Sequence, residues 1–331
     1  MKQGLAALML GGAVLLGLST VASEARELRV LSAWDQNFIF TKSMLKPLLE
    51  KIEKGTEGRV TFRINGPEVV PTFQQFEPVQ SGAFDMIFAH PGYFAGNAGV
   101  GVTIDSIKAD PVARRETGIW GYLDKYYAKF GMKLIALQSQ GKLHFVVKKE
   151  LPQADKPFSG LKLRANVTYH NLVDYLGGAS VLMAGGEIYP GLKAGLIDGA
   201  AWSVVGVMDY RLNEVAGYWT EPAYGQTGAT VLMNLNTWNS LSDKDKAVIQ
   251  EAAFESEKQT TDLFVDLSDE EHKKMQAGGM KPTHFIGPIS TKLDALWADG
   301  VWKLGIEKAG AEAAAFKEFA LSKGMTSTTS K

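Results

Sequence analysis

Short segments of alternating polar and apolar residues recur along this chain, each followed by apolar residues at helical spacing. Residues 27–32 and 59–64 have the period-two pattern of strands, and the leucines between them lead to Gly55, as in an amphipathic helix. The same rhythm returns in the second half of the chain, from residues 161–165 onward. Strands that alternate with helices are joined by crossover connections, so the pattern predicts an α/β fold with largely parallel sheets.

The two ends of the chain differ from this body. Residues 1–25 contain a lysine, an uncharged apolar run and then small residues before Arg26, which predicts a cleaved signal peptide and a periplasmic protein. The apolar run is shorter than the ~20 residues that a spanning helix needs, and no later run is long enough, so we expect no insertion into the membrane. Residues 326–331 predict a disordered tail.

Composition excludes several classes of function. A length of 331 residues fits two domains, and a formal net charge of -1 argues against a nucleic-acid partner. The chain has no cysteine, so thiol catalysis and cysteine-based metal sites are excluded. It contains no Walker loop, nucleophile elbow, HExxH motif or EF-hand loop, and its five histidines lack ligand spacing. We therefore expect no catalytic residue, no metal and no cofactor.

Two further patterns concern the architecture. A helical stretch from Ser242 to Gly278 could span ~50 Å at about 1.5 Å per residue, so it is long enough to bridge two domains. Residues 80–85 (QSGAFD) are similar to residues 193–198 (KAGLID), and both predict a helix, a glycine and then a strand. Such junctions are common, so an internal repeat and a chance similarity both stay open.

Aromatic and polar side chains follow the strands, at the edge where open α/β sheets bind ligands. These candidates for a binding crevice are Trp34, Asn37, His90, Tyr93, Arg164 and Trp202. An arginine there would pair a carboxylate through two parallel hydrogen bonds, and aromatic walls would cover an apolar ligand. The alternatives are a surface salt bridge for the arginine and core packing for the aromatic residues.

Four ordered segments carry a family resemblance. They are residues 80–86 (QSGAFDM), 159–164 (SGLKLR), 177–181 (GGASV) and 187–199 (EIYPGLKAGLIDG). In order and spacing they resemble segments of the solute receptors of tripartite ATP-independent periplasmic (TRAP) transporters, DctP type. The third segment lacks the proline that is usual there. Each segment alone is weak, and the ordered set is specific.

The resemblance implies a two-lobed periplasmic binding protein with crossing hinge strands and a long helix that spans both lobes. We expect lobe I to contain residues 26–149 plus 235–275, and lobe II residues 150–234 plus 276–325. By the same resemblance Arg164 anchors a ligand carboxylate, and the lobes close over a small organic acid. The implied partners are the TRAP membrane subunits, and the receptor is expected to be a monomer.

Two departures from the family pattern bear on the ligand. Leu143 stands where many members have a second arginine, and Lys142 and His144 are the candidates to compensate for it. Trp202 stands where an asparagine is frequent. Both changes make the site less polar, so we expect a monocarboxylate with an apolar or aromatic body rather than a sugar acid or a dicarboxylate.

Two other functions stay open. A sensory receptor could use the same cleft with a different membrane partner. A secreted enzyme acting on carboxylates would need a base, for which Asp35, His90 or Glu187 could serve. Glu187, which opens the fourth segment, is also a candidate ligand-binding residue.

Overall fold

The computed structural model describes residues 25–326, so residues 1–24 of the expected signal peptide lie outside the described residues, as do residues 327–331. One sheet contains β1 (Arg26–Ser32), β2 (Val60–Asn65), β3 (Met86–Ala89), β4 (Met132–Ser139) and β10 (Gly228–Asn234). Its strand order is β2-β1-β3-β10-β4, and we call the body around it lobe I. β1 pairs in parallel with β2 and β3, whereas β10 is antiparallel to both of its neighbours.

The other sheet contains β5 (Leu143–Val147), β6 (Lys162–Arg164), β7 (Ala179–Val181), β8 (Gly199–Ser203), β9 (Tyr218–Glu221) and β11 (Lys281–His284). Its order is β11-β9-β5-β8-β6-β7, and we call the body around it lobe II. β6 is parallel to β7 and β8, and β5 is antiparallel to β8 and β9. The fold is therefore α/β, as expected, but both sheets are mixed rather than largely parallel.

The chain crosses between the two sheets at residues 140–142 and again at residues 222–227. The boundaries expected from sequence place β5 in lobe I and β10 in lobe II, whereas each strand pairs within the sheet of the other lobe. Both strands are fully buried and apolar for most of their length. A continuous apolar run does not mark where a chain leaves one sheet for another, which explains the displaced boundaries.

The internal similarity is a structural repeat. In lobe I the Asp85 N–H donates to the Arg29 carbonyl at 2.9 Å, and the Asp85 Oδ2 accepts from the Arg29 N–H at 2.9 Å. In lobe II Asp198 makes the same two bonds with Lys162, at 2.7 and 2.9 Å. The strand orders β2-β1-β3-β10-β4 and β7-β6-β8-β5-β9 also correspond. Each aspartate fixes the start of one strand against its parallel neighbour.

Helices cover the sheets. They are α1 (Lys46–Gly55), α2 (Phe76–Gln80), α3 (Pro111–Glu116), α4 (Ile119–Ala128), α5 (His170–Tyr175), α6 (Ile188–Lys193), α7 (Leu235–Asn239), α8 (Asp243–Ala277) and α9 (Gly287–Ser322). α9 is kinked at Gly310, where φ is 53°. No helix in residues 25–326 is both long and apolar enough to cross a bilayer.

α8 is the long helix that bridges the lobes. Ser242 caps it by accepting from the Asp245 N–H at 3.1 Å, as the sequence pattern predicts. Glu257, in its first half, accepts from the Leu137 N–H of lobe I at 2.8 Å. Glu271, in its last turns, accepts from the Met208 N–H of lobe II at 2.8 Å. Because both carboxylates are buried, these bonds fix the helix to both lobes.

The start of the expected tail is ordered. Thr326 forms a bridge with Ile107 and is buried, and the Met325 carbonyl accepts from the Lys108 N–H at 2.8 Å. The expectation of disorder from residue 326 is therefore wrong for that residue, since its backbone pairs with lobe I.

Candidate functional site

Arg164 is fully buried, with 0% of its surface exposed. It is the last residue of β6, and its guanidinium donates to two backbone carbonyls, from Nε to Met183 at 2.9 Å and from Nη1 to Ala201 at 3.1 Å. Among residues 25–326 no group accepts from Nη2, and no carboxylate pairs with the side chain. A buried cation without a counter-charge is costly, so this geometry favours an anionic ligand.

The two carbonyl bonds also limit how Arg164 can bind. The sequence pattern suggests a fork that gives a carboxylate two parallel hydrogen bonds, but the Nε edge of this fork is occupied by Met183. Nη2 is the guanidinium nitrogen that has no partner among the described residues. A carboxylate could therefore approach the Nη1–Nη2 edge, since Nη1 has a second N–H beyond its bond to Ala201, but not the Nε edge.

Arg164 faces a small cavity between the lobes, with a volume of about 20 Å³. Lobe I and lobe II both contribute to its walls. The lining residues are Trp34, Phe40, His90, Tyr93, Gln140, Arg164, Asn166, Tyr169, Trp202, Ser203 and Thr227. This set contains one permanent cation, no carboxylate and five phenyl, phenol or indole rings.

The aromatic residues of lobe I pack on one another at the cavity. Trp34 is buried, with its ring centroid 5.1 Å from that of Phe40 and 6.0 Å from that of Tyr93. Its Nε1 has no hydrogen-bond partner in the described part of the chain. These rings therefore belong to the hydrophobic core of lobe I and also form a wall of the cavity.

His90 lines the same cavity, but both ring nitrogens are engaged. Nδ1 accepts from the Gly92 N–H at 3.0 Å, which makes Nε2 the protonated nitrogen that donates to the Asp105 carboxylate at 2.8 Å. Asp105 in turn accepts from the Gly228 N–H at 3.2 Å, at the start of β10. His90 therefore has no ring nitrogen left to act as a base or to bind a ligand head-on, and it positions the loop that carries Tyr93.

Trp202 on β8 forms the lobe II wall beside Arg164. The Arg164 guanidinium carbon lies 4.9 Å from the Trp202 ring centroid, in cation–π geometry. The same ring stacks on Phe40 of lobe I, with centroids 6.3 Å apart and planes 7° from parallel. One indole thus contacts Arg164 and the opposite lobe.

Three sequence candidates lie away from the cavity. His144 pairs with Trp202 across the β5–β8 ladder, but its ring points to α8, 6.2 Å from that of His272. Glu187 is exposed and accepts from the Ala184 N–H at 2.8 Å, as a cap of the turn before α6. Asn37 is exposed and does not line the cavity.

Sequence reasoning missed six lining residues, which are Phe40, Gln140, Asn166, Tyr169, Ser203 and Thr227. Gln140 and Thr227 lie on the two crossovers, and the misplaced lobe boundaries concealed them. Tyr169 and Asn166 follow β6 directly, so the rule that strand ends line the crevice could have identified them. Burial raises the pKa of Tyr169 above its ordinary value, while the charge of Arg164 lowers it; the phenol stays protonated at neutral pH.

Within residues 25–326 no group of three or more His, Asp or Glu side chains could hold a metal ion. The five histidines are spread over both lobes, and His90 and His284 each lie beside a single carboxylate. The cavity therefore combines one buried cation with aromatic walls.

A model of the bacterial extracellular solute-binding proteins, family 7 (DctP), matches residues 31–299. The chain belongs to this family. Its members are the periplasmic solute-binding proteins of TRAP transporters, which agrees with the two lobes, the crossing strands and the bridging helix.

Relatives support the same assignment. The chain is 28% identical over 272 residues to the monocarboxylate 2-oxoacid-binding periplasmic protein of Nostoc sp., covering 76% of this chain and 72% of that protein. A TRAP periplasmic solute-binding protein of Desulfovibrio salexigens with bound orotic acid has a TM-score of 0.79 at 18% identity, over 90% of this chain and 98% of that one. A Bordetella pertussis extracytoplasmic receptor binding pyroglutamic acid has a TM-score of 0.78 at 15% identity, over 89% and 99%.

Proposed function

We propose that this DctP-family protein is a periplasmic receptor for a small monocarboxylate with an apolar or aromatic body. It binds the acid between its lobes and delivers it to the membrane permease of a TRAP transporter. The observation that carries the proposal is the fully buried guanidinium of Arg164, whose Nη2 has no partner among the described residues. A ligand carboxylate supplies the missing counter-charge.

The cavity supports one carboxylate rather than two. Arg164 is the sole lysine or arginine among the lining residues, so a second carboxylate would be buried without a cation. Lys142 does not compensate, because its side chain lines a different surface groove beside α8. The proposed ligand therefore carries a single negative charge.

The walls support an apolar or aromatic body. Trp34, Phe40, Tyr93 and Tyr169 face the same small space as Arg164, and Trp202 covers the guanidinium. Flat rings in such a cavity stack on an unsaturated ligand or exclude water from an apolar one. The relatives named for 2-oxoacids, orotic acid and pyroglutamic acid bind compact organic acids, in keeping with a small site between the lobes.

Binding follows from closure of the lobes. The ligand first contacts one lobe, and rotation about residues 140–142 and 222–227 then brings the other wall over it. Closure removes water from around Arg164, which strengthens its interaction with the carboxylate. The closed form is the one that the membrane partner recognises, and the receptor acts as a monomer.

Calorimetric titration tests the ligand class. We expect benzoate or a branched monocarboxylate to bind more tightly than succinate or glucuronate, and benzamide, which lacks the charge, to bind at least about 30-fold more weakly than benzoate. Tighter binding of succinate or glucuronate than of every aromatic or branched monocarboxylate tested would refute the proposed class. Mass spectrometry of the recovered ligand separates a receptor from an enzyme, since a receptor returns it chemically unchanged.

A matched pair of variants tests the anchor. Arg164→Gln should abolish the titration, whereas Arg114→Gln should leave it intact. Arg114 is also buried and also donates to backbone carbonyls, at Lys108 and Leu137, but it does not line the cavity. Equal loss of ligand binding in both variants would show that Arg164 stabilises the folded protein rather than contacting the ligand.

A further inference from the structure

The two lobes also contact each other outside the cavity, through four residues that we call the latch. Phe38 and Ile39 belong to lobe I, and Asp209 and Tyr210 belong to lobe II. The Asp209 Oδ2 accepts from the Ile39 N–H at 2.7 Å. The rings of Phe38 and Tyr210 stack, with centroids 4.2 Å apart and planes 17° from parallel. None of the four lines the cavity, although the Phe38 and Tyr210 rings pack on the cavity residue Trp202, with centroids 6.0 and 5.3 Å away. The Asp209–Ile39 bond is the part of the latch that contacts no cavity residue.

The latch requires a close approach that one glycine permits. Gly206 has φ of +100°, and a Cβ built there would lie 2.6 Å from Phe38 Cζ. Any larger residue would be strained and would push Phe38 out of the stack. The turn of lobe II at Gly206 thus leaves room for the Phe38 ring of lobe I.

The bridging helix holds this turn in place. The Glu271 Oε1 on α8 accepts from the backbone N–H groups of Gly206 at 3.1 Å and Met208 at 2.8 Å. The carboxylate is buried, and burial raises its pKa while the two N–H groups lower it. Because α8 is fixed to lobe I by Glu257, Glu271 connects the position of the latch to the helix that spans the hinge.

We propose that the latch sets the fraction of the receptor that is closed, and that Glu271 is its positioning residue. The inference rests on the proposed function in one respect, that closure accompanies binding. A contact present in the closed form alone shifts the open–closed equilibrium by its own free energy. Its loss should therefore weaken every ligand by the same factor, through faster dissociation.

The size of the effect follows from the two contacts. A hydrogen bond to a carboxylate and a stacked aromatic pair each contribute on the order of a tenfold change in an equilibrium constant. Loss of either contact should thus raise the dissociation rate about tenfold for each ligand while the association rate stays unchanged. Arg164→Gln should differ from this pattern, because it removes a ligand contact.

The test measures the distance between the lobes directly. The chain has no cysteine, so spin labels can be placed at Val69→Cys in lobe I and Leu196→Cys in lobe II, both exposed. Asp209→Ala, Tyr210→Ala and Glu271→Ala should shift the distances toward the open form. Asp209→Asn, Tyr210→Phe and Glu271→Gln are matched controls that retain an acceptor oxygen or the ring, and they should remain near the wild-type distances.

Two results would overturn the proposal. One is an unchanged distance distribution in both Asp209→Ala and Tyr210→Ala. The other is a dissociation rate in Asp209→Ala, read from tryptophan fluorescence, that rises for one ligand but not for others. The distances are measured on the protein without ligand as well, so the latch can be judged even if no monocarboxylate binds. In that case the proposed function fails and the latch result still stands.

Discussion

His144 should make the protein less stable in mild acid. The side chain is fully buried between β5 and α8, and neither ring nitrogen has a hydrogen-bond partner in residues 25–326. Burial, with a smaller contribution from His272, lowers the pKa of His144 from 6.5 to about 3. The folded protein therefore keeps this ring neutral over a pH range in which the unfolded chain protonates it.

The sign and size of this change in unfolding free energy follow from proton linkage. Because the folded pKa is lower, unfolding below pH 6.5 takes up a proton, so stability is fully present above pH 6.5 and is lost as pH falls toward 3. One pH unit in this range corresponds to about 1.4 kcal/mol. Acidification from about pH 7 to pH 5 should thus remove about 2 kcal/mol of unfolding free energy through this one side chain.

Urea unfolding at several pH values measures this loss of stability in the wild type, in His144→Leu and in His284→Gln. His144→Leu should lose less stability on acidification than the wild type, by about 2 kcal/mol. His284→Gln is the control, since His284 is exposed and lies 3.6 Å from Glu221. The reasoning is refuted if His144→Leu and the wild type lose equal stability between the two pH values.

Three other changes should have distinct effects. Trp202→Leu should weaken aromatic acids by about tenfold more than aliphatic acids of the same size in calorimetric titrations, because a ring beside the anchor is lost; equal weakening would contradict the stacking role. Gly199→Ala should destabilise lobe II by about 1–3 kcal/mol in thermal unfolding, since its Cβ would lie 2.6 Å from the Val146 carbonyl oxygen. Glu257→Gln should lower the unfolding free energy by about 3 kcal/mol, because a buried carboxylate that bonds Arg115 and the Leu137 N–H loses its charge; an unchanged urea midpoint would show that α8 is held to lobe I by other contacts.

The sequence predicts those features that depend on local patterns. Ser242 marks the start of α8, and the two glycine–strand junctions mark a real repeat, because capping and turn chemistry act within a few residues. The position of Arg164 at the end of a strand predicts the crevice side of the sheet. These inferences require no knowledge of which strands pair.

The features that depend on long-range pairing could not be predicted. β5 and β10 exchange lobes, and nothing in their apolar sequences shows which sheet accepts them. The same limit applies to His90, whose role depends on Asp105, 15 residues away along the chain. The limit applies to His144 as well. Pairing across the β5–β8 ladder puts the His144 ring on the same face of the sheet as that of Trp202. Only the folded structure shows that this ring lies 6.2 Å from His272 on α8.

The central claim is that Arg164 binds the carboxylate of a monocarboxylate ligand. Thermal unfolding of the protein from Arg26 onward, against a panel of organic acids and beside Arg164→Gln, tests it most directly. A ligand at about 100 times its dissociation constant adds about 2.7 kcal/mol to the stability of a protein that binds it. The account predicts a clear upward shift for an aromatic or branched monocarboxylate in the wild type and none in the variant. An equal shift in both proteins, or no shift with any acid, would contradict it.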